Sequence, residues 1–216
     1  MNVLTGFYSS TIGKKYVMAV SGIILWLYIV GHMLGNLQVF VGPEQINSYA
    51  AFLHRHTNLL WIVRTALIIA IGLHVLAALQ LTVRNWSARP RYAITRYREA
   101  DPMSRTMIWG GVALAFFIVY HILHLTVGAV GPTFTENVYG NVIAGFRVWW
   151  IDVFYIGAQF ALAMHLYHGL WSMFQSLGAA HPRYNSWRRI FAVVFAFALF
   201  LGFVSIPISV LTGRLS

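Results

Sequence analysis

The sequence predicts an all-α integral membrane protein, a bundle of five transmembrane helices with the N-terminus cytoplasmic and the C-terminus outside. Three observations carry this expectation. Hydrophobic residues make up 59% of the 216-residue chain and charged residues only 9%, whereas soluble domains are about 25% charged. The apolar residues are collected into five runs, each long enough to cross a bilayer, for which roughly 18 or more residues suffice. Lysine and arginine are spread unevenly among the segments between those runs. Residues 1–216 are therefore expected to form a single membrane domain.

The first run, Tyr16–Phe40, follows Lys14 and Lys15. It is much longer than a signal-peptide core and no A-x-A-like site follows it, so it is expected to be retained. A short loop carrying Glu44, Tyr49, His54 and His56 leads to the second run, Leu59–Val83. The stretch Arg84–Thr106 is the longest connection and is too short to bury a core of its own. The third, fourth and fifth runs are Met107–Val130, Trp149–Leu177 and Ile190–Leu211. Pro207 should kink the last, because it lacks the N–H that a helix interior needs. Trp26, Trp61, Trp109, Trp149, Trp150, Trp171 and Trp187 mostly fall near run ends, as an interfacial aromatic belt would.

Charge fixes the expected orientation. Lys14 and Lys15, six arginines between Arg84 and Arg105, and Arg183, Arg188 and Arg189 place eleven cations on one side; Arg55, Arg64, Arg147 and Arg214 place four on the other. The side richer in cations is cytoplasmic. The formal net charge of +10 thus reports topology and lipid contact, and no nucleic-acid-binding face is expected. The absence of cysteine excludes disulfides, c-type haem attachment and cysteine-bound clusters in this chain. None of the five acids is expected deep in a span: Glu44 and Glu136 lie in outer loops, Glu99 and Asp101 in an inner loop, and Asp152 at the outer edge of the fourth run. Ion-coupled transporters use buried acids and repeated broken helices, so a secondary transporter is disfavoured.

Four of the runs carry histidine well inside the bilayer, where an ionisable side chain marks a functional site. At 1.5 Å rise per residue, His32 and His121 lie about 24 and 21 Å from the inner edge. His74 and His165, on runs that descend, lie about 14 and 18 Å from it. His32 and His121 therefore share an outer layer, and His74 and His165 an inner one. Neutral imidazole is a good iron ligand. A histidine on each face of a haem fills both axial positions and leaves the centre suited to electron transfer. Two b-type haems are the expectation. Gly31 and Gly35 beside His32, Gly72 beside His74 and Gly169 beyond His165 would admit a close approach. Two of the runs offer a choice, because His124 shares a helix face with His121, and His168 with His165. The spare histidine would bond a propionate, line a quinone pocket or sit satisfied in the core. His54, His56 and His181 are expected to be solvated loop residues.

At these residues the chain resembles the single-chain dihaem cytochrome b membrane-anchor subunit of succinate dehydrogenases and quinol:fumarate reductases. The resemblance covers nearly the whole chain. It is carried by Ser10-Thr11-Ile12-Gly13-Lys14-Lys15, by Gly31-His32, by the stretch from His74 to Asn85, by the histidine ten residues after Gly111, and by His165 through Leu177 with Gly169-Leu170-Trp171-Ser172. It implies the ligands His32 with His121 for the outer haem and His74 with His165 for the inner one. It also implies a flavoprotein partner, an iron–sulfur partner at the cytoplasmic face, quinone (menaquinone is expected) as exchangeable substrate, and a prokaryotic cytoplasmic membrane. A higher oligomer of the whole complex is compatible with it. Some relatives carry a glutamate two residues before the fourth-run ligand as part of a proton path; here that residue is Ala163. Quinone-site candidates are Glu44, Tyr49 and His54. The arginine-rich inner loop would dock the iron–sulfur partner or simply orient the chain. Two alternatives stay open: the cytochrome b of a membrane hydrogenase or formate dehydrogenase, and a haem-free channel or structural anchor.

Overall fold

A computed structural model describes residues 3–87, 102–132 and 134–216. Among them there is no strand. The chain forms α1 (Val3–Ser9), α2 (Thr11–Asn36), α3 (Pro43–Arg55), α4 (Thr57–Ser87), α5 (Pro102–Ile122), α6 (Val138–Phe146), α7 (Trp149–Ser176) and α8 (Asn185–Leu211). Four helical segments are long and apolar enough to cross a membrane: Thr11–Phe40, Thr57–Ser87, Thr106–Val127 and Pro182–Leu211. The fourth expected span is α7, whose 28 residues reach about 42 Å, well beyond a hydrocarbon core of roughly 30 Å. Its apolarity is diluted by Asp152, Gln159, His165 and His168, so it does not rank with the other four.

Local signals explain the shifted ends. Ser10 caps α2, its hydroxyl oxygen accepting from the Gly13 amide at 2.9 Å, which starts that helix five residues before the apolar run. The third span ends early: α5 passes into a π-turn at Leu123–Val127 that Gly128 closes in the left-handed conformation (φ 71°), a geometry favouring glycine. α8 continues through the buried Pro207.

The segments expected as outer loops fold into helices. Pro43 starts α3, whose Ile46 and Tyr49 point inward one turn apart. Asn137 caps α6, its Oδ1 accepting from the Gly140 amide at 2.9 Å and from Asn47 Nδ2 at 3.0 Å, so one side chain also ties α3 to α6. Together with the segment after α8, α3 and α6 cap one end of the bundle. At the other end Arg84 donates to the Ser9 carbonyl at 2.8 Å, tying α4 to the α1–α2 junction. The arginine-rich stretch Arg89, Arg91, Arg96 and Arg98, with Glu99 and Asp101, lies outside the described residues.

α7 is the hub, packed against α8, α5, α2 and α6. The bundle is inverted relative to a soluble protein. Leu27, Leu34, Ile68, Phe116, Phe160 and Phe197 are exposed on its flanks, while Ser21, His124, Asn141, Asp152, Gln159 and Arg188 are buried. That distribution suits hydrocarbon outside and polar contacts between helices.

Candidate haem sites

His32 on α2 and His121 on α5 face each other with ring centroids 5.7 Å apart. His74 on α4 and His165 on α7 do the same at 6.1 Å. Each ring is partly exposed, whereas His124 is 3% exposed. Four helices thus contribute one histidine each to two separate pairs, the two that the depth reckoning grouped.

The surroundings of each ring decide which nitrogen is free. His74 Nδ1 lies 3.1 Å from the Met18 carbonyl oxygen and 3.3 Å from Ser21 Oγ. A carbonyl only accepts, so Nδ1 holds the proton and Nε2 keeps its lone pair. A metal-ligating imidazole is oriented in this way, by donating its second N–H to a neighbour. Gly22 permits the approach: a Cβ there would stand 3.3 Å from His74 Cε1. His165 Nδ1 is buried without a hydrogen-bond partner. The Tyr155 hydroxyl lies 3.3 Å from His121 Nδ1 and 2.9 Å from His124 Nδ1. The phenol has one proton. If it donates to the nearer His124, it accepts from His121, which then keeps Nε2 free. His32 differs, because Asn36 Nδ2 sits 3.3 Å from its Nε2; a metal at that nitrogen would displace the amide.

No group of three or more His, Cys, Asp or Glu residues converges among the described residues. Two imidazoles alone do not complete the shell of a bare ion such as zinc, which takes four ligands. They do complete that of an iron whose other ligands come from a macrocycle. The two-histidine donor sets, and the Nε2 that His74 leaves free, therefore fit haem.

The choice between neighbouring histidines has a geometric side. His124 is enclosed: a Cβ on Gly131 would meet its ring at 2.6 Å and one on Gly145 at 2.8 Å. It is a satisfied core histidine with no space for a macrocycle. His168 stands edge-on to Trp171 at 6.4 Å.

The quinone-site candidates separate. Glu44 and His54 are exposed on α3, and His54 Nδ1 bonds its own helix at the Ala50 carbonyl, 2.8 Å away. Tyr49 is half-buried against Gly35, one turn beyond His32; a Cβ on Gly35 would stand 2.9 Å from its ring. Asp152 lies in the first turn of α7, at the edge expected for it. It is nonetheless fully buried, with both carboxylate oxygens unpartnered among the described residues. Sequence reading missed Tyr155, Asn36 and Ser21, which meet the histidines across or along helices. For Tyr155 the only signal is its place between Asp152 and Gln159 on one helical face.

A comparison with curated proteins and with solved structures finds no match. The family model described as the succinate dehydrogenase/fumarate reductase transmembrane subunit matches residues 87–205, which include α5, α7 and most of α8 with His121 and His165. The chain belongs to the family of succinate dehydrogenase/fumarate reductase transmembrane subunits.

Proposed function

We propose that this chain is the membrane-anchor cytochrome b of a succinate:quinone oxidoreductase, passing electrons between an iron–sulfur partner and membrane quinone through two bis-histidine b haems. The observation that carries this reading is the pairing of four histidines from four helices at two levels of one bundle. Membership of the family supports the oxidoreductase complex. The two haems, their ligands His32/His121 and His74/His165, and the quinone reaction are the added steps. In this reading α7 is a fifth span, its polar residues facing protein, and the N-terminus is cytoplasmic by the positive-inside rule. The membrane is a prokaryotic cytoplasmic one, and the flavoprotein and iron–sulfur subunits dock at the inner end.

When bound, haem would supply one-electron carriers, which His32 with His121 and His74 with His165 would hold. The chain's residues do the rest. Met18 and Ser21 fix the His74 ring and its tautomer, Tyr155 positions His121, and the apolar flanks exclude water. The dicarboxylate chemistry belongs to the flavoprotein. Quinone, taken as menaquinone, is assigned to the capped end beside the His32/His121 pair, where Tyr49 is the best-placed candidate.

The test is selective. In the purified complex, His74→Ala and His32→Ala should each remove one of two b haems, and a different one. Loss of the same haem, or of neither, overturns the ligand assignment.

A further inference from the structure

Arg188 is a buried charge that this reading does not use. It lies in the first turn of α8 and is 6% exposed, and among the described residues it makes one hydrogen bond, from Nη2 to Asn185 Oδ1. Its Nε and Nη1 have no acceptor. Arginine is almost never fully buried unless paired, and an uncompensated guanidinium in a low-dielectric site is costly. Glu44, Glu136 and Asp152, the acids among the described residues, all belong to the capped end. Arg188 belongs to the opposite one.

The packing of α8 on α2 gives its level. Phe191 and Phe195 both stand edge-on to Trp26, at 6.0 and 5.4 Å, and further along Gly202 meets Met33. The two helices therefore run in parallel with a nearly constant offset. Extrapolated from these contacts, Arg188 comes level with the turn Ala19–Gly22, which holds the Ser21–Gly22 pair that touches His74. Phe174 packs on Phe191 at 5.8 Å and closes the α7 side.

We propose that Arg188 is a built site for an anionic oxygen group, a carboxylate or phosphate, inserted among α2, α7 and α8 beside the His74/His165 pair. Arginine suits either through a fixed fork of charge-assisted N–H donors. Two sources have this chemistry: a propionate of haem held by that pair, or the phosphodiester of a tightly held phospholipid. The first rests on the proposed function; the second does not.

The experiment uses the whole purified complex, wild type, Arg188→Gln and Arg188→Lys. It combines a potentiometric titration of the b haems with phospholipid quantification by native mass spectrometry. A propionate partner predicts that Arg188→Gln shifts the ratio of oxidised to reduced inner haem about tenfold at fixed poise, which is about 59 mV for one electron. The wave assigned to His32/His121 should stay in place, and Arg188→Lys should recover part of the shift. A lipid partner predicts unmoved waves and loss of a retained phospholipid. If Arg188→Gln fails to assemble, Arg188→Lys is read alone, because it keeps the charge but not the planar fork. Unchanged potentials with unchanged lipid, or equal shifts of both haems, overturn the proposal. A wild-type complex with no haem overturns the haem reading and leaves the lipid arm to decide.

Discussion

Replacing Tyr155 by phenylalanine removes one oxygen and keeps the ring. Tyr155 is 5% exposed, and its ring packs edge-on to Phe117 at 5.1 Å and to Phe146 at 4.9 Å. Those contacts survive the change, so the cost comes from hydrogen bonds. His124 loses its 2.9 Å partner inside an enclosure that admits no water. Leaving such a group unsatisfied costs about 1–3 kcal/mol. The bond to His121 is longer, at 3.3 Å, and adds less. For a chain of this size that cost lowers the melting temperature by about 2 to 12 °C. The assay is thermal melting of the detergent-solubilised complex, with a redox titration at the starting temperature. The haem wave that His32→Ala removes should shift, since His121 loses the group that orients it, and losses of this kind weaken metal affinity by roughly 10–100-fold. The wave that His74→Ala removes should stay. A variant indistinguishable from the parent in both measurements would refute the coupling of Tyr155 to His121 and His124.

Further outcomes follow from the same geometry. Gly145→Ala presses a methyl against the His124 ring at 2.8 Å with Gly131 behind it, and should destabilise by about 1–3 kcal/mol; Gly202→Ala meets only the flexible Met33 side chain and should cost less in the same melt. Asn137→Ala removes the cap of α6 and its tie to α3, an expected loss of about 1–2 kcal/mol, visible as faster amide exchange confined to those two helices. If quinone reacts at the capped end, electrons cross most of the bilayer, at about 2.3 kcal/mol per charge per 100 mV. Succinate oxidation in sealed vesicles should then respond to uncoupler, and indifference to it would place the reaction elsewhere.

Four apolar helices and the grouping of the histidines were legible because both rest on one-dimensional signals, hydropathy and rise per residue. The helix ends were less so, because caps such as Ser10 and the turn at Gly128 lie outside the apolar pattern. α3 and α6 read as loops, since each is short and partly polar and gains its stability from the other through Asn47 and Asn137. The burial of Asp152 was not legible, because packing around the start of α7 is a tertiary fact. Tyr155 carries only its place on one helical face with Asp152 and Gln159, and Arg188 reads in the sequence as one more inner-side cation. Their importance arises where His124 is buried against Tyr155 and where the Arg188 guanidinium meets no acid among the described residues. The choice of His121 over His124 rested on resemblance alone. The structure packs the His124 ring closely against the backbone of Gly131 and Gly145.

The central claim is that two haems are held in this bundle. A dithionite-reduced minus oxidised spectrum of the purified complex, with pyridine haemochrome quantification per chain, tests it most directly. The account predicts two b haems for each copy of the chain. A haem-free preparation would contradict it and leave a structural anchor as the better description, and a single haem would mean that one of the two histidine pairs serves another purpose.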